Sequence, residues 1–281
     1  MPWLPDFVSA VELARVQTRD AALADPAASY LQALSRGETR DLEAAWPGAV
    51  VVHDPRAGEI RGHHRLRRFI HDNHAWFDAH DARIERVAST RAGRRAVLEL
   101  LVRLTVDDGE QVAWPIAVVA ESPDDLSVVF RTYCSLWPVS GQRPVRAAIL
   151  PPGDEDLAGV VARYHSALDS GDAEAIMTVF AADGYYGEPI GPHPVHRGAA
   201  ELRDFFTERL RDGGIGLQHC AVTDDGVRCA LEYNFVRWGS EDVAPQAGIG
   251  VYERRPDGLL AAARVYDDVV PPTGARAAGG P

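Results

Sequence analysis

A chain of 281 residues, 46% hydrophobic and 25% charged, has room for one large or two small globular domains. Its formal net charge of -12 disfavours nucleic acid and anionic membrane surfaces as partners, and no run approaches the roughly 18–20 apolar residues of a membrane span. Cys134, Cys220 and Cys229 form no C-x-x-C pair and the start reads as no secretory signal, so neither a disulfide scaffold nor a zinc site is expected and the expected location is cytoplasmic.

In chain order, an amphipathic helix is expected over about residues 8–35, carrying Tyr30. A short helix follows Gly37 in "GETRDLEAAW", and a brief strand runs into the Asp54-Pro55 turn. The next helix opens after Arg61-Gly62; its histidines His63, His64, His71 and His74, with His80 beyond, read as a polar face, and no metal is expected. Three apolar strands come next. The stretch "PVSGQRPVRAAILPPGDED" is rich in proline and glycine and reads as a linker.

The order then returns. A helix over about residues 155–170 carries Tyr164, and "GDAEAIMTVFA" gives a short helix. A strand enters the Glu188-Pro189 turn, a helix opens at Gly198, and three strands follow with Asp-Gly turns at 225–226 and 257–258. Tyr30 and Asp54 stand 134 residues before Tyr164 and Glu188; Leu98-Glu99-Leu100 aligns with Leu231-Glu232-Tyr233 and "FRTYC" with "ARVYD", both 133 apart. The chain therefore reads as a tandem duplication. Its expected parts are a first domain at 1–138, a linker at 139–154, a second domain at 155–272 and a disordered tail at 273–281. Helices followed by antiparallel strands make each copy an α+β domain.

The stretch "ARYHSALDSGDAEAIMTVFAADGYYGEPIGPHPVHRG" resembles the opening of ketosteroid isomerases and of SnoaL-like polyketide cyclases, within the nuclear transport factor 2-like superfamily. The likeness covers nearly all of 155–271 and recurs more faintly over 28–138. It implies two tandem cone-shaped α+β barrels, each a curved antiparallel sheet wrapped around three helices, with a conical pocket between. Homodimers are usual in that superfamily, so the resemblance implies an internal pseudo-dimer and is compatible with a homodimer of the whole chain. It also makes Tyr164, and in the first copy Tyr30, the oxyanion donor, and Glu188, and in the first copy Asp54, the general base. Each acid lies 24 residues after its tyrosine. The second acid of the isomerases falls near Gly250 here and near Val118 in the first copy.

Independently of the resemblance, Glu188 precedes a proline that restricts its backbone, and an apolar pocket would raise its carboxyl pKa toward neutrality. The alternative is a solvated turn glutamate. Tyr164 is either a core aromatic or a hydrogen-bond donor. His193 and His196 sit in the same turn; His196 is a candidate substrate contact, as is His219 at the start of a strand. Period-two alternation puts Glu232 on one face with Asn234 and Trp238. If that face lines the pocket, Glu232 and Trp238 contact substrate; if it is the outer face, the preferred reading, Glu232 meets solvent. Asp267 is a further candidate for a paired acid. The first copy is open to reading as a degenerate half kept for packing.

The expected function is cofactor-free isomerisation or cyclisation of a hydrophobic polyketide- or steroid-like molecule, with Glu188 as base and Tyr164 as oxyanion donor. An epoxide hydrolase or epoxide-opening cyclase using paired acids is the first alternative. A non-catalytic small-molecule-binding or assembly module is the second.

Overall fold

The computed structural model describes residues 10–154, 156–189 and 194–267. The predicted tail at 273–281 and His193 lie outside the described residues. The first copy begins with α1 (Ala10–Ala24) and α2 (Pro26–Arg36), where a single helix was expected. The break falls at Asp25-Pro26: proline cannot donate to the preceding turn, and the Asp25 carboxylate accepts the Ala28 amide at 3.1 Å to cap the new helix. There follow α3 (Arg40–Ala45), β1 (Val50–Asp54), β2 (Gly58–Arg61) and α4 (His63–Ala79). A meander of β3 (Arg83–Ala92), β4 (Arg95–Thr105), β5 (Gln111–Glu121) and β6 (Val128–Tyr133) completes the copy, and α5 (Trp137–Ser140) leads out of it.

The second copy repeats this with α6 (Gly159–Ser170), α7 (Ala173–Met177), β7 (Phe180–Gly187), β8 (Val195–Arg197) and α8 (Gly198–Arg209). Its meander is β9 (Ile215–Asp224), β10 (Arg228–Trp238), β11 (Glu241–Arg254) and β12 (Leu260–Val265). The sheet orders are the same: β2-β1-β6-β5-β4-β3 and β8-β7-β12-β11-β10-β9. These are two tandem α+β cones. Four strands follow α4 and four follow α8, where three were expected; the missed β3 and β9 carry too many polar residues to read as apolar runs. The sheets are mixed rather than antiparallel throughout, because β1 pairs in parallel with β6 and β7 with β12. The chain between those partners is long enough for the crossover that parallel pairing needs.

Each cone has its own core. Tyr30, Trp46, Leu98, Leu100 and Phe130 belong to the first, and Tyr164, Phe206, Leu231, Tyr233 and Tyr252 to the second. A third core lies between the sheets, where Val97, Val119 and Tyr133 meet Ala230, Ile249, Val251 and Tyr266. Both faces of β4 and β10 are therefore buried. This overturns the solvent reading of Glu232, which is 3% exposed, as Glu99 is 0%.

Two buried clusters hold this seam. Arg131 donates to Glu232 from Nε at 2.6 Å and Nη2 at 2.7 Å, and the Tyr133 hydroxyl donates to the same carboxylate at 2.7 Å. Arg264 donates to Glu99 at 2.6 and 3.0 Å, and Tyr266 donates to it at 2.6 Å. Every member of one cluster is the repeat equivalent of a member of the other. That reciprocity is the signature of a two-fold, isologous interface. Burial works against both guanidinium charges, but the facing carboxylates more than offset it and hold both arginines protonated more firmly than free arginine.

The segment expected as a linker is tied to both sheets, to the first by Arg146 Nη2 donating to His53 O at 3.0 Å. Ala147 bridges Gln246, Ala247 N donates to Arg146 O at 2.9 Å, Gly153 N donates to His219 O at 2.9 Å, and Asn234 Nδ2 donates to Leu150 O at 2.9 Å. Among the described residues no helix is long and apolar enough to cross a membrane.

Replacing one carboxylate of the seam breaks a bidentate pair and leaves a buried guanidinium only its more exposed second partner, Glu121 for Arg131 and Glu253 for Arg264. Glu232→Gln and Glu99→Gln should each cost about 3–5 kcal/mol in urea unfolding, and by the same amount within error. A loss under about 1 kcal/mol, the range of an exposed pair, would show that the clusters do not hold the seam.

Candidate functional site

The second cone gathers its polar groups from helices and strands along the whole copy. Tyr164 stands on α6, buried to 2% exposure, among Phe180, Phe206 and Tyr252. Tyr186 on β7 stacks on Phe205 with ring centroids 4.9 Å apart. Tyr233 on β10 donates its hydroxyl to Asp267 Oδ1 at 2.6 Å, just past β12. Tyr252 lies on β11, where Gly248 and Gly250 make room. A side chain at Gly250 would collide with the Tyr252 hydroxyl, and one at Gly248 with the Tyr233 ring and Asp267. The position that the isomerase resemblance assigns to a second acid is thus filled by a phenol reaching back from two residues further on.

Glu188 leaves the end of β7 and is anchored by its own amide donating to Pro194 O at 2.8 Å. Its side chain is 18% exposed. The wall it faces is not purely apolar, contrary to the expectation: Arg209, in the last turn of α8, donates from Nη2 to Glu188 Oε1. His196 Nε2 lies 3.6 Å from Oε2. Phe205 carries both cationic and imidazole partners, with His196 stacked at 4.1 Å and the Arg209 guanidinium 5.0 Å from its centroid.

The phenols are held protonated. Burial raises the Tyr164 pKa above its usual value, with Arg209 opposing and Glu188 adding to the rise. Burial likewise pushes Tyr186, Tyr233 and Tyr252 well above theirs. Such groups are hydrogen-bond donors across the working pH range. The charges of Glu188 and Asp267 both add to the rise of the Tyr186 pKa. Among the described residues, no group of three or more His, Cys, Asp or Glu side chains is placed to hold a metal ion.

The first cone keeps the scaffold and loses most of this chemistry. Tyr30 and Asp54 line a cavity of about 40 Å³, walled otherwise mainly by apolar side chains such as Phe69, Leu100, Trp114 and Ile116. Asp54 Oδ1 accepts the amides of Arg56 and Ala57 at 2.9 and 2.8 Å. Sheet register and repeat spacing set Val52, Leu100, Asn73 and Cys134 where the second cone has Tyr186, Tyr233, Arg209 and Asp267.

Other predicted contacts fall elsewhere. Glu232 points away from the cone into the seam, since alternation along β10 turns Leu231 and Tyr233 inward instead. Trp238 does not share its face: a bulge between Phe235 and Arg237 shifts the alternation and brings Trp238 against Phe235 and, at 5.5 Å, the Arg209 guanidinium. His219 faces His165 on α6, ring centroids 5.0 Å apart, rather than Glu188. Arg209, Tyr186, Tyr233 and Tyr252 were not foreseen. The alternation Gly248-Ile249-Gly250-Val251-Tyr252 was the available signal for the last of them, because paired glycines on one strand face mark a close approach.

Residues 161–263 match the family model described as SnoaL-like domain. Solved structures with a similar fold each cover about two-fifths of this chain. The epoxide hydrolase/cyclase-like enzyme SalBIII, of pyran ring formation in the polyether salinomycin, is 19% identical over 38% of this chain and 86% of its own, with a TM-score of 0.31. A SnoaL-like protein of unknown function from Burkholderia thailandensis is 18% identical over 38% and 89%, TM-score 0.32. A protein of ketosteroid isomerase-like fold from Catenulispora acidiphila, solved with trimethylamine, is 16% identical over 39% and 85%, TM-score 0.32. The expected likeness of the second copy to SnoaL-like domains is met by the family model, and the two six-stranded sheets carry the duplication.

His165, beside Tyr164 and 6% exposed, gives the second cone an acid sensitivity. Burial, with His219 adding, pulls its pKa down to about 3. The folded chain keeps the ring neutral while the unfolded chain protonates it below about pH 6.5, so stability falls as pH drops through that value. Between about pH 7 and pH 5 the wild type should lose about 2 kcal/mol more than His165→Leu in denaturant titrations. Equal losses would show that His165 takes up its proton without unfolding.

Proposed function

We propose that the second cone is a cofactor-free acid–base site for a hydrophobic small molecule, an isomerase or cyclase in which Glu188 moves the proton and Tyr164 steadies the oxyanion. The observation that carries this reading is the buried cluster in which Tyr164, Glu188 and Arg209 act on one another's charge. The first cone keeps only a tyrosine and an acid. The fold itself supports a cyclase-type, isomerase-type or ligand-binding role.

The chemistry requires a C–H bond next to a carbonyl. Arg209 occupies Oε1 of Glu188, which leaves Oε2, on the His196 side, to take the proton. The C–H electron pair moves onto the carbonyl oxygen, and the enolate oxygen accepts a hydrogen bond from Tyr164. Returning the proton to a different carbon completes an isomerisation. Attack of the enolate carbon on a second carbonyl forms the new C–C bond of a cyclisation, with the proton delivered to the resulting alkoxide. A donor fixed in a dry site stabilises such an oxyanion more than water does.

Epoxide opening by paired acids is the second reading, with Glu188 and Asp267 as the pair; the charges of both act on Tyr186. There one group protonates the epoxide oxygen while the other takes the proton of the attacking hydroxyl.

Proton exchange at the α-carbon of a cyclic β,γ-unsaturated ketone in deuterated buffer, followed by NMR, tests the base directly. Glu188→Gln should slow enzyme-dependent exchange by about 10²–10⁴-fold. Tyr164→Phe should slow it by about 10²–10³-fold, with the unfolding midpoints of both variants unchanged. Exchange by Glu188→Gln at the wild-type rate would remove Glu188 from the role. Opening of a hydroxy-epoxide that is lost in both Glu188→Gln and Asp267→Asn would select the paired-acid reading instead.

A further inference from the structure

A cavity of about 270 Å³ lies between the two sheets and the segment that connects them. It shares Asp267 with the second cone's cluster, but Glu188, Tyr164 and Arg209 do not line it. Its walls come from all three parts of the chain: Asp54, Glu59 and Tyr133 from the first copy, Arg146 from the connecting segment, and Gln246 and Asp267 from the second copy.

Two groups on this lining lack the partners that burial normally demands. The Arg146 guanidinium is partly buried over the Tyr133 ring, 4.9 Å from its centroid. It donates from Nη1 to Thr132 O and from Nη2 to His53 O at 3.0 Å, which uses two of its five N–H groups. Among the described residues no carboxylate comes within 4.0 Å of it, whereas the more deeply buried Arg131 and Arg264 each have one at 2.6 Å. Burial pulls the Arg146 pKa below that of free arginine. Asp54 and Glu232 act on its charge without touching it, so part of the desolvation cost remains, and a ligand anion in direct contact removes that cost. The second group is Gln246, 7% exposed, whose Oε1 accepts no hydrogen bond. A buried carbonyl oxygen in this state calls for a donor.

We propose that this seam cavity is a second binding site, for a small carboxylic acid that also carries a hydroxyl or ammonium group. The ligand carboxylate pairs with the Arg146 guanidinium, whose planar fork suits a carboxylate. The ligand's donor meets Gln246 Oε1 and the acidic wall of Asp54, Glu59 and Asp267. That wall repels a second carboxylate, so a monocarboxylate with a donor is selected over a dicarboxylate. Asp54, Pro55 and Cys134 line both this cavity and the first cone's cavity, so the bound molecule stands at the neck of the first cone. The site exists only where the two copies and the connecting segment meet.

The test is titration of the full chain with glycolate, glycine and acetate, read by NMR on the side-chain N–H groups of Arg146 and Gln246. Glycolate or glycine should saturate at millimolar concentration, with acetate weaker by about tenfold or more. Arg146→Met keeps an apolar chain over Tyr133 and should lose about tenfold or more in affinity for all the probes that bind. Because Arg146 also fixes main-chain carbonyls, Gln246→Leu is the deciding variant: it should weaken glycolate or glycine to the level of acetate and leave acetate unchanged. Absence of saturable binding by both glycolate and glycine, or wild-type affinity in Gln246→Leu, overturns the proposal. The readout is binding alone, so it stands or falls independently of turnover in the second cone.

Discussion

A carboxylate in the middle of an apolar strand is tolerable only if something pairs with it, and here each copy supplies the partner for the other. Glu99 and Glu232 sit on the outer faces of their sheets, where an isolated cone would expose them to water. Packed together, each receives a bidentate arginine and a tyrosine hydroxyl from the opposite copy. The gain over apolar packing is small for such pairs, but the penalty for misplacing one is large. The clusters therefore fix register more than they add stability. A slide of one sheet by a single residue would strand two buried carboxylates at once, while each arginine kept only the glutamate of its own sheet. That constraint orients the cones, leads the connecting segment across the seam, and encloses the cavity at Arg146.

Once the outer faces were committed to each other, the inner faces were free to differ. On β10 and β11 the second cone sets Tyr233 opposite Gly248, with Gly250 and Tyr252 next along the strand. The matching positions of β4 and β5 hold Leu100 opposite Ile116, followed by Val118 and Ala120. Glycine on one strand admits an aromatic ring from its neighbour, while branched aliphatic pairs fill the same volume without a polar atom. The same backbone thus yields a cone lined with phenols and a cone lined with hydrocarbon. The pairing of Arg209 with Glu188 follows this divergence, since the first copy has Asn73 at the equivalent place, and its amide donates to Phe69 O at 2.9 Å.

Much of the fold could be read from residues alone. The constant spacing between copies and the 24-residue interval from tyrosine to acid located the helices, the turn and the duplication. Other features depend on what lies across space. Alternation put Glu232 on one face but could not say that a second sheet covers it, because burial on both faces is a tertiary fact. The same alternation misplaced Trp238, because a bulge two residues earlier leaves no mark in the sequence. Arg209 was hidden for another reason: a basic residue in the last turn of a helix usually serves the helix dipole, and only folding brings it over Phe205 to Glu188. The split at Pro26 was legible and was missed by giving the amphipathic pattern more weight than the proline.

The central proposal is that one scaffold, locked by reciprocal ion pairs, carries acid–base chemistry in its second cone and not in its first. A crystal structure of the chain with 2-naphthol, a planar phenol that mimics an enolate, tests this most directly. The account predicts density in the second cone, with the naphthol oxygen within hydrogen-bond distance of Tyr164 and the ring edge against Glu188. Density in the first cone alone, or with the second cone's tyrosines turned away from the bound phenol, would contradict it.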